Sequence, residues 1–205
     1  MISSLHYISQ QTATASHLDN ILAACEAGCR WIQLRIKNEP EDKILASALS
    51  AKAICSRYNA TLIINDYPHI AKTVGAHGVH VGKQDMTVTR ARAITGDEFI
   101  IGGTANTLED ILVHVKDGAN YVGLGPYRFT TTKEKLSPIL GLEGIAGIMQ
   151  ALRNMGIHIP VIAIGGILAE DVPVLMQTGI HGIAVSGLIT HAENKFQTVS
   201  SLTTI

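Results

Sequence analysis

Three threonine hydroxyls and a lysine ammonium group stand side by side at Thr130-Thr131-Thr132-Lys133, just beyond a Gly-Pro bend at Gly125-Pro126. Glycine lets backbone N–H groups approach an anion closely, and threonine and lysine add further donors. Taken alone, the stretch 123–133 is either an oxyanion site or a solvated connection. Gln33, Arg35 and Lys37 alternate along the chain, so in an extended segment they project to one side, as ligand-binding groups or as the snorkelling cations of a solvated edge. Asn65-Asp66 and, further on, His80, Gly82, Gln84 and Asp85 each follow an apolar run. Two carboxylates from adjacent loops suit Mg²⁺, which takes one or two carboxylates and completes its shell with water and phosphate oxygens. The same carboxylates suit helix capping, Asp85 standing two residues before Thr87. Gly165-Gly166 and Ser186-Gly187 each separate an apolar run from a helical pattern; such a tight turn also frees backbone amides for phosphate. His80, between Val79 and Val81, reads as a pocket-lining or locally bonded ring in preference to an acid or base. His69, His77, His158, His181 and His191 show no mutual spacing that suggests a metal site.

The elements that must position these residues form a period. Short apolar runs predict strands over 5–9, 30–36, 61–65, 78–81, 99–102, 121–124, 160–164 and 182–185. Between them, helical spacing covers 18–25, 44–54, 69–74, 87–94, 108–115, 142–154 and 169–178, with a final polar helix from about 192. Ser16 reads as an N-cap, and Gly28, Gly75, Gly118 and Gly179 as helix C-terminal glycines. Strands that do not alternate with polar residues are buried on both faces, the mark of a parallel sheet covered by helices. Eight strand–helix units in unbroken series predict an α/β fold of one domain over 1–205, a (β/α)₈ TIM barrel with short loops, about 26 residues per unit. Chemistry in such a barrel gathers where strands hand over to the following loops, and the candidate residues stand there. Strand five ends at Gly102-Gly103-Thr104, which adds Thr104 to the set.

Composition excludes several classes. Lys plus Arg number 16 against 17 for Asp plus Glu, and the net charge of −1 gives no general attraction to nucleic acid or an anionic membrane. Cys25, Cys29 and Cys55 are odd in number, and no charged-then-apolar leader precedes them. A disulfide framework is therefore not expected, a cytoplasmic location is, and the thiols read as core residues and not as zinc ligands. The longest apolar run, 159–168, is broken by Gly165 and Gly166 and falls short of the ~20 residues of a spanning helix. The oligomeric state stays open, a homo-oligomer included.

In order along the chain, Gln33-Leu-Arg35-Ile-Lys37, Ile63-Ile-Asn65-Asp66, Gly78-Val-His80-Val-Gly82 with Asp85, Gly123-Leu-Gly125-Pro126 with Thr130-x-Thr132-Lys133, Ala163-Ile-Gly165-Gly166-Ile167 and Gly182-Ile-Ala-Val resemble the thiamine-phosphate synthase (thiamine-phosphate pyrophosphorylase) family. No single motif is specific; the ordered set, over nearly the whole chain, is. The resemblance implies a transferase that joins hydroxymethylpyrimidine diphosphate to a thiazole phosphate with Mg²⁺, releasing pyrophosphate through a dissociative step. It implies that Asp66 and Asp85 hold the metal, that Arg35, Lys37, Asn65, Thr104 and Lys133 bind diphosphate oxygens, and that Gln33 contacts the pyrimidine. Thr130, Thr132, Gly165, Gly166 and the Ser186-Gly187 turn would hold the thiazole phosphate, with His80 lining the pocket. Departures stand at Tyr67-Pro68, where the family commonly has an arginine, and at Thr104-Ala-Asn106, where it often has Ser-x-His. At strand eight the phosphate-touching residue is open by one position. Two other readings remain: a thiazole tautomerase relative, against which the full set of acids and cations speaks, and a non-catalytic barrel that binds pathway phosphates.

Overall fold

The computed structural model describes residues 1–83, 85–130 and 137–203. Strands β1 (Leu5–Ile8), β2 (Trp31–Leu34), β3 (Thr61–Asn65), β4 (Gly78–Val81), β5 (Ile100–Ala105), β6 (Tyr121–Leu124), β7 (Val161–Ile164) and β8 (Gly182–Val185) pair in parallel, each with the next. β8 pairs with β1, which closes the barrel. All seven connections between successive strands carry a helix in the expected place: α1 (His17–Glu26), α2 (Glu41–Arg57), α3 (Pro68–Thr73), α4 (Val88–Thr95), α5 (Leu108–Lys116), α6 (Gly141–Asn154) and α7 (Val172–Gln177), after which α8 (Gly187–Thr190) and α9 (Lys195–Thr203) follow the last strand.

Local chemistry explains the helix starts. Ser16 accepts from Asp19 N while the Asp19 carboxylate accepts from Ser16 N, a reciprocal cap repeated at Thr107 and Asp110. Thr87 caps α4 through Arg90 N. Asp85 is therefore free of capping duty at that helix. Gly28, Gly75, Gly118 and Gly179 all adopt positive φ, as expected of residues that end helices.

Most boundaries shift from the sequence reading by a few residues, and three differences bear on the site or its supports. β5 continues through Gly102-Gly103 to Ala105, so Thr104 lies within the strand instead of after it. The helix expected over 169–178 is a 3₁₀ turn, Ala169–Asp171, followed by α7, with Pro173 in its first turn where a missing N–H is harmless. The final polar helix is α9, begun by Asn194, whose side-chain oxygen accepts from Gln197 N.

One apolar layer lies between barrel and helices and includes all three free, buried cysteines. A second fills the barrel itself: Ile8, Trp31, Ile63, Tyr121, Ile162 and Ala184. Because strand side chains alternate, the inward positions of β2 to β5 pass from this apolar floor to Gln33, Asn65, His80 and Thr104 nearer the strands' C-terminal ends.

His6 belongs to the floor. Its ring stacks on Trp31 at 4.4 Å, and Tyr121 meets both edge-on. Its Nε2–H donates to Ser3 O at 2.9 Å. Burial pushes the imidazole from 6.5 down to about 3. Between those values only the unfolded chain takes up the proton, so His6 favours folding fully above pH 6.5 and progressively less as pH falls toward 3. At about 1.4 kcal/mol per pH unit, this one ring removes about 2 kcal/mol of stability on going to pH 5. Urea unfolding at pH 7.5 and pH 5 is expected to show that much less acid loss in His6→Phe than in the unaltered chain. Equal losses in the two would mean that His6 does not supply the slope.

Candidate active site

The acidic wall starts in the barrel. Gln33 Nε2 donates to Asn65 Oδ1 at 2.7 Å, and Asn65 Nδ2 donates to Asp66 Oδ2 at 2.6 Å. Gln33 and Asn65 are buried, so this amide chain is fixed by the strands beneath it. Asp66 follows β3 in a left-handed conformation, φ +66°, with its N–H donating to His80 O at 2.9 Å. The Lys37 ammonium group pairs with Asp66 Oδ2 and stands 3.8 Å from Asp85 Oδ2. Asp66 Oδ1 is buried and has no hydrogen-bond partner among the described residues.

Asp85 leans over Gly82. A Cβ at Gly82 would lie 2.2 Å from Asp85 Oδ2 and 3.8 Å from Asp66 Oδ1, so both carboxylates converge on the space that glycine leaves open. Burial, then the adjacent Asp66 carboxylate, push Asp85 above the ordinary carboxylate range despite Lys37 and the Gly82 backbone. An orphaned buried oxygen beside a second carboxylate destabilised by like charge is a donor set that fits a hard divalent cation. Among the described residues no larger cluster of His, Cys, Asp and Glu competes for that role.

Deeper in, His80 Nδ1 lies 3.0 Å from Tyr121 Oη and His80 Nε2 lies 3.0 Å from Thr104 Oγ1. Both His80 and Thr104 line the cavity. Arg35 lines it too, its backbone N–H held by Ser9 Oγ at 3.1 Å.

The opposite wall is backbone-rich. Tyr127 N and Arg128 N donate to Ile164 O and Gly165 O, which lays the loop after β6 along the end of β7. Gly165 and Gly166 adopt φ of +99° and +66°, and a Cβ on either would stand 2.7 Å from an atom of that loop, Pro126 Cβ for the first and Phe129 O for the second. Arg128 donates two parallel bonds of 2.8 Å to Asp171 and a third to Gly166 O. That pairing holds the Asp171 carboxyl below its ordinary range. Asn106 donates to Gly125 O and to Pro138 O, both at 2.9 Å, and so clamps the two stems of the threonine-bearing loop. The departure at Asn106 thus has a structural use.

Together the two walls enclose a cavity of about 360 Å³. It gathers Gln33, Arg35, Lys37, Asn65, Asp66, His80, Asp85, Thr104, Thr130, Gly165, Gly166, Ser186 and Gly187. Thr132, Lys133 and Gln84 lie outside the described residues. Ser186 is at the cavity, but its hydroxyl donates to Gln10 Oε1 at 2.9 Å. Sequence reasoning missed Gln10, Tyr121 and the apolar lining at Ile8, Ile164 and Leu188, and gave Asn106 no structural role. Inward alternation at the strand ends signals Ile8 and Ile164; nothing local signals the others.

A family model described as thiamine monophosphate synthase matches residues 5–189. A thiamine-phosphate synthase of Flavobacterium johnsoniae is 52% identical over 195 residues, 95% of this chain and 92% of its own length. One of Phocaeicola vulgatus is 50% identical over 190 residues, covering 93% and 91%. The solved thiamine phosphate pyrophosphorylase of Pyrococcus furiosus superposes with a TM-score of 0.83 at 30% identity, over 97% of this chain and 93% of that one. With half its residues shared with such relatives along nearly its full length, and with the family model matching from β1 to α8, this chain belongs to the thiamine monophosphate synthase family.

Proposed function

We propose that this transferase condenses hydroxymethylpyrimidine diphosphate with a thiazole phosphate, giving thiamine phosphate and pyrophosphate, with Mg²⁺ as cofactor. The observation that carries the reading is the division of one cavity into two unlike anion sites: a carboxylate pair with Arg35 and Lys37 on one side, and glycine backbone at Gly165 and Gly166 on the other. The names of the relatives support the same activity. A tautomerase would have no use for the first of these walls.

In the proposed step, the bond between the pyrimidine's methylene carbon and the diphosphate oxygen breaks, its electron pair leaving with pyrophosphate. The thiazole nitrogen lone pair then forms the new C–N bond, so no proton need be removed. Asp66 and Asp85 would hold Mg²⁺, which supplies neutralisation of the leaving diphosphate. Arg35 and Lys37 add fixed positive charge at the same place, and the family resemblance implies the same of Lys133. Gln33 and the apolar floor orient the pyrimidine, and the enclosed walls keep water from the electron-poor carbon. Thr130, Thr132, Gly165, Gly166 and the N–H groups after β8 hold the thiazole phosphate. A diphosphate and a monoester bring about five negative charges; the metal and three cations supply +5 before the two carboxylates are subtracted. The remainder falls to backbone dipoles, which is what the second wall offers.

Formation of thiamine phosphate from the two substrates, dependent on Mg²⁺, is expected in a coupled assay; no product with both substrates and metal present, alongside measurable ligand binding, would sink the reading in favour of a non-catalytic barrel. Asp85→Ala is expected to lower kcat by roughly a hundredfold or more while leaving thiazole phosphate affinity by calorimetry nearly unchanged. Equal loss of both would contradict the metal assignment. Gly166→Ala places a Cβ against Phe129 O in a conformation alanine avoids, so it is expected to raise KM for thiazole phosphate by about tenfold and to lower Tm, with a smaller effect on KM for the diphosphate. The reverse ranking of the two KM changes would move the monoester site elsewhere.

A further inference from the structure

Tyr121 lies wholly inside the barrel, 1% exposed, and no family motif above includes it. The sheet makes unusual room for it. In the register of β5 and β6, Gly102 stands opposite Tyr121, and a Cβ at Gly102 would fall 2.2 Å from the tyrosine ring. Gly123, two residues along β6, leaves the space taken by the His80 ring, whose Cε1 would lie 3.3 Å from a Cβ there. Two inward side chains are thus given up so that a phenol and an imidazole can meet, Oη to Nδ1, at 3.0 Å.

The direction of that bond follows from satisfaction. Among the described residues the Tyr121 hydroxyl has one hydrogen-bond partner, His80 Nδ1. If Nδ1 carried the proton, the phenolic O–H would be left in the dry floor beside Trp31 and His6 with nothing to accept it. With the phenol as donor, Nδ1 is the acceptor and the proton of a neutral ring sits on Nε2. Nε2–H then donates to Thr104 Oγ1 at 3.0 Å. A hydroxyl whose lone pair is already engaged from below has its own proton to give, and Thr104 lines the cavity.

We infer that Tyr121 is a positioning residue: its hydroxyl proton, given to His80 Nδ1, fixes the other ring proton on Nε2 and so leaves Thr104 to act as a donor into the cavity. The group recognised there is a hydrogen-bond acceptor, an anionic oxygen or a ring nitrogen of the substrate, which takes the one proton the hydroxyl has to give. Without the phenol the imidazole is free to carry its proton on Nδ1, whereupon Nε2 takes the Thr104 proton for itself and the cavity loses its donor.

Two measurements test this, and only the second rests on the synthase reading. Long-range proton–nitrogen NMR of the ¹⁵N-histidine-labelled protein shows which ring nitrogen carries the proton, with the His80 signal assigned by its absence in His80→Gln. A neutral Nε2–H ring is expected in the unaltered protein and a shift toward Nδ1–H in Tyr121→Phe; an Nδ1–H ring in the unaltered protein, or no change in the variant, overturns the inference. In turnover, Tyr121→Phe keeps the ring and is expected to lower kcat/KM roughly tenfold. In a Thr104→Val background the same change is expected to cost less than twofold, because there is no longer a hydroxyl to aim. An undiminished loss in that background means that Tyr121 acts only through packing and overturns the role. Absence of product from the unaltered enzyme would instead fail the synthase reading, and the NMR result would still decide the relay.

Discussion

Asp66 is held where a carboxylate is expensive. Its side chain is about nine-tenths buried, it sits in a left-handed backbone conformation, and only one of its two oxygens is bonded within the described chain. Removing a carboxylate from water costs several kcal/mol after relaxation, and the left-handed conformation adds on the order of 1 kcal/mol even for a residue type that tolerates it. Lys37 and Asn65 offset part of this at Oδ2; among the described residues nothing offsets it at Oδ1. Bringing Asp85 alongside raises the electrostatic cost again. Such a pair persists because the strands beneath impose it, and the cation of the proposed reaction would recover the energy.

The barrel supplies that imposition through register. β3 and β4 pair with Asn65 beside His80, and β2 and β3 with Gln33 beside Ile63. The amide of Gln33 therefore reaches Asn65 and not Asp66, and Asn65 hands the bond on. Each link is a short hydrogen bond, and Gln33 and Asn65, which donate them, have backbones locked in the closed sheet. Slipping a strand by one residue would turn the whole set outward. Closure of the barrel and placement of the acidic wall are consequently one requirement, not two.

This division also explains what could be read in the sequence. β4, β6 and β8 are legible to the residue because each is a short apolar run buried on both faces, and the polar residues at their ends stand out against it. β5 is not, because Gly102-Gly103 reads as the end of a strand. Those glycines are strand residues whose missing side chains are replaced from elsewhere, by Tyr121 on the inner face and by His114 of α5 on the outer. The role of Arg128 has no local signature either: its partner Asp171 lies 43 residues away, across the cavity wall. Ser186 was legible as a site position, but its bond to Gln10 joins the two ends of the chain, and no local pattern shows that. Motifs announce groups that face a ligand. Groups that face one another across the fold have no local signature.

The unequal walls bear on how the two anionic substrates of the proposed reaction would be kept apart. A bare phosphate monoester on the β3–β4 side would meet Asp66 and Asp85, and like charges brought together in a partly buried site cost several kcal/mol. A diphosphate accompanied by a divalent cation turns the same carboxylates from repulsion to attraction. On the β7–β8 side no carboxylate of the described residues reaches the cavity lining, and the Gly165-Gly166 backbone is pressed so close to the β6 loop that side chains are excluded. What remains there is a surface of peptide dipoles, suited to a single phosphate group and offering no seat for a metal. Discrimination between the substrates in the proposed reaction would then come largely from the acidic wall, which rejects the monoester, and only secondarily from the glycine wall that accepts it.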